Sequence, residues 1–214
     1  LREQGSDSAG RHASPPRRLY MATFDSNGAL VRAPQITYCG GEPGPSAMEY
    51  SNPGVDALKQ NSWVDAAHLG LQGQSWGGYQ VAYLITQTNM YAAAWAGAPV
   101  VNMTSAYGGI RWESGMSRQF QYERTQSRIG GTLWEKPELY IRNSPLFSLP
   151  KVQTPVVIMS NDADGAVPWY QGIEMFTDLR RLPTPVWLLQ HNPQAHHLVN
   201  HDNRKQLSIR APHS

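Results

Sequence analysis

A single cysteine, Cys39, stands in 214 residues. One cysteine excludes an intrachain disulfide framework and a cysteine-rich zinc module. Charge is scarce too, at 16% against about 25% in ordinary soluble domains. No apolar run approaches the roughly 18 residues of a membrane span, so no membrane partner is expected. The N-terminus lacks the apolar segment of a secretory signal. Cytoplasmic, periplasmic and secreted locations are all left open. Low charge with 10% aromatic residues, seven of them Trp, argues against long disorder, because disordered chains are charge-rich and aromatic-poor.

The formal charge of +2 belongs to one end. Residues 1–18 carry Arg2, Arg11, Arg17 and Arg18 against Glu3 and Asp7, and from residue 19 onward 14 positive charges face 14 negative ones. A nucleic-acid surface needs its positive charge clustered on the fold, so no such partner is expected. Residues 1–18 read as a disordered basic leader and residues 19–214 as one folded domain.

Element types alternate along that domain. Leu30–Tyr38 predicts a strand interrupted by Pro34, followed by a Gly/Pro loop over 40–45 and a short helix over Pro53–Gln60. His68–Gln72 predicts a strand and Trp76–Thr88 a buried helix. Ala92–Ala96 is the next strand. The stretch from Asn102 to Pro145 predicts helical pieces without a strand. Pro155–Ser160, Pro168–Leu182 and Pro185–Gln190 then predict strand, helix and strand. This alternation implies an α/β fold, a mostly parallel sheet with helices on both faces.

The strongest chemical signal is Gly73-Gln74-Ser75-Trp76-Gly77-Gly78, a G-x-S-x-G between a predicted strand and a predicted helix. Such a turn holds its Ser strained, with Oγ exposed at the carboxyl end of the sheet. Gly73 and Gly77 are expected because side chains there would collide with neighbouring backbone, and Gly78 to let the helix close on the strand. The helix N-terminus favours negative charge, and the Trp76 amide can donate to an oxyanion.

A nucleophilic Ser needs a base, and the base an orienting acid, in the chain order Ser, acid, His. Pro155–Ser160 runs into a loop with Asp162 and Asp164. Pro185–Gln190 runs into a loop with His191, His196 and His197. Both loops follow strands, as the chemistry requires.

These residues carry a family resemblance from about residue 28 to residue 210. GLQGQSWGGY, the preceding NSWVDAAHLG, NSPLF at 143–147, NDADGAVP at 161–168 and the terminal His loop together resemble the catalytic domain of the prolyl oligopeptidase family of serine peptidases. The resemblance implies an α/β-hydrolase fold and a peptidase acting on small peptides without a cofactor. It places the acid at Asp164, leaving Asp162 as a turn residue, and the base at His196. Because Pro193-Gln194-Ala195 departs from the family turn, His197 stays a rival that hydrogen-bond geometry decides. The 102–145 stretch resembles the family's pocket-lining insertion, so Trp76, Tyr107 and Val167 are expected as substrate-pocket walls.

Departures accompany the match. The resemblance implies a second oxyanion donor, a Tyr hydroxyl upstream of the 30–38 segment. Tyr20 is the sole Tyr there, and its setting does not match. The family's β-propeller has no counterpart in 214 residues, and the early strands and a closing C-terminal helix are expected to be missing. Arg142 stands where the family often has an acid. An esterase and a catalytically impaired fragment are the alternative readings. His197 and His201 have the spacing of a helical metal pair, but Leu198 occupies the place of the general-base Glu, so no metal is expected. Asn102-Met103-Thr104 is a glycosylation sequon by pattern.

Overall fold

A computed structural model describes residues 30–198, 200, 202, 203 and 205. The predicted leader 1–18 and Tyr20 lie outside the described residues. The chain divides into Pro34–His197 and a second unit made of residues 1–33 and 198–214. The first unit holds the sheet and the helices around it.

It comprises α1 (Pro43–Lys59), β1 (Gly70–Gln74), α2 (Trp76–Gln87), β2 (Ala93–Gly97), α3 (Met103–Tyr107), β3 (Ile110–Arg111) and β4 (Met116–Ser117). Next come α4 (Gln119–Glu123), α5 (Pro137–Arg142), a 3-10 helix (Pro145–Lys151), β5 (Val156–Asn161), α6 (Tyr170–Arg181) and β6 (Val186–His191). Strands β1-β2-β5-β6 form a fully parallel sheet in that order. Each parallel crossover is carried by a helix, as parallel pairing demands. Strand β5 is paired on both sides and buried along its whole length, which explains the apolar run of its first four residues, Val156 to Met159.

Val81, Ala82 and Ile85 of α2 meet Met175 and Leu179 of α6 over Ala94, Ala96, Val156 and Ile158 of the sheet. Each aliphatic side chain buried there contributes about 1.5–3 kcal/mol. A second cluster gathers Tyr79, Tyr83, Tyr107, Tyr122, Tyr140, Met103, Ile129 and Val167. The low charge and many aromatics of the sequence are located here.

Three expectations are corrected. Leu30–Tyr38 forms no strand. Pro34 offers no ladder donor, and the segment runs exposed until Tyr38 reaches Trp76. The first helix begins at Pro43 rather than Pro53, because Pro is well accommodated in a helix's first turn, where N–H groups have no partner anyway. Gly44 of this helix lies against the Tyr83 ring, where a Cβ would come within 2.3 Å. Its amide is held by Asn143 Oδ1 at 3.1 Å.

The 102–145 stretch does contain strands, the two-residue antiparallel pair β3–β4, closed through Gly115 at φ +71°. The Asn102 sequon is occupied structurally. Its buried side chain caps α3, with Oδ1 accepting from the Thr104 and Ser105 amides at 3.1 and 3.3 Å. Arg142 makes an exposed ion pair with Glu42 at 3.0 Å. Among the described residues, no helix is long and apolar enough to cross a membrane.

Candidate active site

The turn between β1 and α2 places Ser75 at φ +60°, ψ −119°. An L-residue in such a region costs about 1–3 kcal/mol, so surrounding bonds must hold it. The Ser75 amide donates to the Gly97 carbonyl at 2.8 Å, and the Ser75 carbonyl accepts from the Tyr79 amide at 3.0 Å. A Cβ on Gly73 would lie 2.3 Å from the Gly77 carbonyl oxygen, and one on Gly78 would lie 2.2 Å from that of Gly97. The expectation for Gly77 is corrected: a Cβ there meets nothing within 4 Å. The glycines required by crowding are Gly73 and Gly78.

Ser75, Asp164 and His196 come together from the ends of β1, β5 and β6. Ser75 Oγ lies 2.8 Å from His196 Nε2, and His196 Nδ1 lies 2.7 Å from Asp164 Oδ2. In the neutral tautomer Nδ1–H donates to the carboxylate and Nε2 accepts from the Ser hydroxyl. The second carboxylate oxygen, Oδ1, accepts from the Ala166 and Val167 amides, both at 2.8 Å. The Asp164 side chain is 2% exposed and that of His196 11%.

Cross-links fix the three loops. Gln74 Nε2 donates to the His196 carbonyl at 3.1 Å, Asn161 Nδ2 to the Ala195 carbonyl at 2.7 Å, and the Ala163 amide to the Gln194 carbonyl at 3.2 Å. Asp162 is exposed on the same loop as Asp164. His197 is exposed and sets its ring edge-on to His196, with centroids 4.8 Å apart. The imidazole bonded to both Ser75 and Asp164 is therefore that of His196.

Trp76 opens α2, where first-turn amides have no intrahelical acceptor. Its indole stacks on Tyr79 at 4.3 Å and donates to the Tyr38 hydroxyl at 3.0 Å. Burial pushes the Tyr38 hydroxyl up, against the opposing effects of the Trp76 N–H and Arg128. Tyr107 and Val167 are 3% and 7% exposed within the aromatic cluster, on which Trp76 packs partly buried. Tyr107 donates to Glu123 at 2.6 Å, and burial, then this bond, raises its pKa. An open groove of about 810 Å³ is lined by Arg111, Met116, Phe120, Gln121, Arg124 and Arg128 among others, none of them Ser75, Asp164 or His196.

Sequence reasoning missed Tyr38, Gln74, Asn161 and Arg118. Gln74 and Asn161 directly end strands at the site, and Arg118 precedes Tyr122 at the i, i+4 spacing of neighbours on a helix face. Those positions were the available signals. Among the described residues, no group of three or more His, Cys, Asp or Glu is placed to hold a metal ion. His201, of the predicted His pair, lies outside them.

A parallel sheet carrying a strained Ser turn, with an acid and a His on later strand ends, defines the α/β-hydrolase class. The prolyl oligopeptidase family model matches residues 52–211. The acylamino-acid-releasing enzyme of Rattus norvegicus is 30% identical over 148 residues, covering 68% of this chain and 20% of that protein. The uncomplexed acylaminoacyl peptidase of Pyrococcus horikoshii superposes with a TM-score of 0.65 at 19% identity, over 80% of this chain and 27% of that one. A puromycin-hydrolyzing peptidase of Mycobacterium tuberculosis gives 0.65 at 22% identity, over 80% and 24%. The chain spans about a fifth of the length of the curated relatives it matches. It belongs to the prolyl oligopeptidase family of serine peptidases.

Proposed function

We propose that this chain hydrolyses peptide bonds of short peptides through an acyl-enzyme on Ser75, with Asp164 and His196 completing a triad. The observation that carries this reading is the unbroken line from Ser75 Oγ through His196 to Asp164, with contacts of 2.8 and 2.7 Å. Ser75 Oγ attacks the acyl carbon while its proton passes to His196 Nε2. The Trp76 amide donates to the oxyanion that forms. Collapse of the tetrahedral intermediate expels the amine, which takes the proton back from His196. Water, deprotonated by the same imidazole, then releases the acyl group and regenerates Ser75. Asp164 holds the imidazole tautomer and stabilises its cation.

Trp76, Tyr107 and Val167 shape the aromatic wall for the acyl-side residue in this reading, with Trp76 making the contact and the other two backing it. The names of the relatives make N-acylated residues the first substrates to try. Steady-state hydrolysis of N-acetyl-aminoacyl anilides, dipeptidyl anilides and short acyl esters tests the reading. Anilide hydrolysis that disappears in Ser75→Ala is expected. Turnover of esters alone would contradict the peptidase assignment.

A further inference from the structure

Arg118 is 1% exposed, at the start of α4 and directly after the β3–β4 pair. A guanidinium is costly to bury without a counter-charge, yet among the described residues no carboxylate lies within ion-pair distance of it. Its partners are two. Nε and Nη2 donate to the Tyr122 hydroxyl at 3.3 and 2.9 Å, with the cation 5.5 Å from the centre of the same ring. Nη1 donates to the Ala166 carbonyl.

That carbonyl belongs to the same peptide group as the Val167 N–H, which donates to Asp164 Oδ1 at 2.8 Å. One rigid peptide plane therefore has the guanidinium at its oxygen and the carboxylate at its nitrogen. A cationic donor on the oxygen polarises the amide and strengthens the hydrogen bond that its N–H donates on the far side. It also fixes the plane, so that Oδ1 is engaged and Oδ2 is left for His196. The preceding carbonyl is held as well, since the Glu113 amide donates to the Gly165 oxygen at 3.1 Å. A Cβ on Gly165 would come within 2.9 Å of that nitrogen, so the approach leaves no slack.

We infer that Arg118 is a positioning residue for the acid of the triad, acting on Asp164 through the Ala166–Val167 peptide. The inference rests on the reading of Asp164 as that acid. Anilide hydrolysis by the full chain tests it in Arg118→Met, Arg118→Lys, Asp164→Asn and the Met/Asn double variant. Arg118→Met is expected to lower kcat about 10–100-fold, the scale of a charge-assisted hydrogen bond, with KM within about threefold of wild type. Arg118→Lys, which keeps a cationic donor, is expected to recover part of the loss.

In the Asp164→Asn background, Arg118→Met is expected to lower kcat no further, because its effect passes through the carboxylate. A folded Arg118→Met with wild-type kcat, or the same fold-loss in both backgrounds, would overturn the inference. If Arg118→Met does not fold, the comparison uses Arg118→Lys in the two backgrounds with the same criterion. Full activity in Asp164→Asn would instead defeat the triad reading itself, so the two failures are distinguishable.

Discussion

A Cβ added to Gly78 would stand 2.2 Å from the carbonyl oxygen of Gly97, the residue whose oxygen also accepts the Ser75 amide at 2.8 Å. The contact seats α2 on β2 and holds the strained Ser at the same point. Gly78→Ala is therefore expected to destabilise the fold by at least about 1–3 kcal/mol, the usual cost of overpacking, because the obstruction is backbone. Gly77→Ala, with open space at its Cβ, is expected to be neutral or to stabilise by up to about 1 kcal/mol through helix propensity. Urea unfolding of the two variants checks the contrast. Equal destabilisation would contradict it.

His196 and Asp164 are singled out from close neighbours. Asp164→Asn is expected to lower kcat by about 10⁴ and His196→Ala by at least as much, the scale seen when triads lose these members. Asp162→Asn and His197→Gln are expected to stay within about threefold of wild type, since both side chains are exposed and neither stands in the Ser75–His196–Asp164 line. Anilide kinetics on the four variants checks this. A loss in His197→Gln as large as in His196→Ala would reassign the base.

The aromatic cluster predicts sensitivity to alkali. Burial raises the hydroxyls of Tyr79, Tyr122 and Tyr140 above the ordinary value of 10.0, and all three side chains are at most 1% exposed. A raised folded pKa means the folded state keeps protons that the unfolded state releases. This stabilisation is complete below about pH 10 and is lost as pH rises from there through the raised folded values. The thermal midpoint is expected to fall steeply above about pH 10, with tyrosinate absorbance from these residues appearing together with unfolding. Their ionisation in a still-native protein near pH 10 would contradict the burial argument.

How much of this was legible in the sequence depended on how local the cause was. Strands β1, β2, β5 and β6 and helices α2 and α6 lay within two residues of their predicted bounds. Short β-branched runs and a Gly-flanked Ser announce themselves over a few residues. The meeting of Ser75, Asp164 and His196 was foreseeable because each closely follows a predicted strand. The start of α1 was not, since Pro43 and Pro45 read as breakers until their first-turn position is known. The β3–β4 pair is too short for any alternation to register. Arg118 was only half legible: its i, i+4 spacing to Tyr122 is local, but its contact with the Ala166 carbonyl, 48 residues away, is created by the fold alone. The scarcity of charge noted at the outset has a structural counterpart here, because this buried cation is met by a carbonyl, a hydroxyl and a ring.

The central claim is that Ser75 Oγ is an activated nucleophile. Incubation with a fluorophosphonate, followed by intact-mass and peptide mass spectrometry, tests it directly. The account predicts one covalent adduct per chain, mapped to Ser75 and lost in His196→Ala. Absence of labelling in the folded chain, or an adduct on another residue, would contradict it.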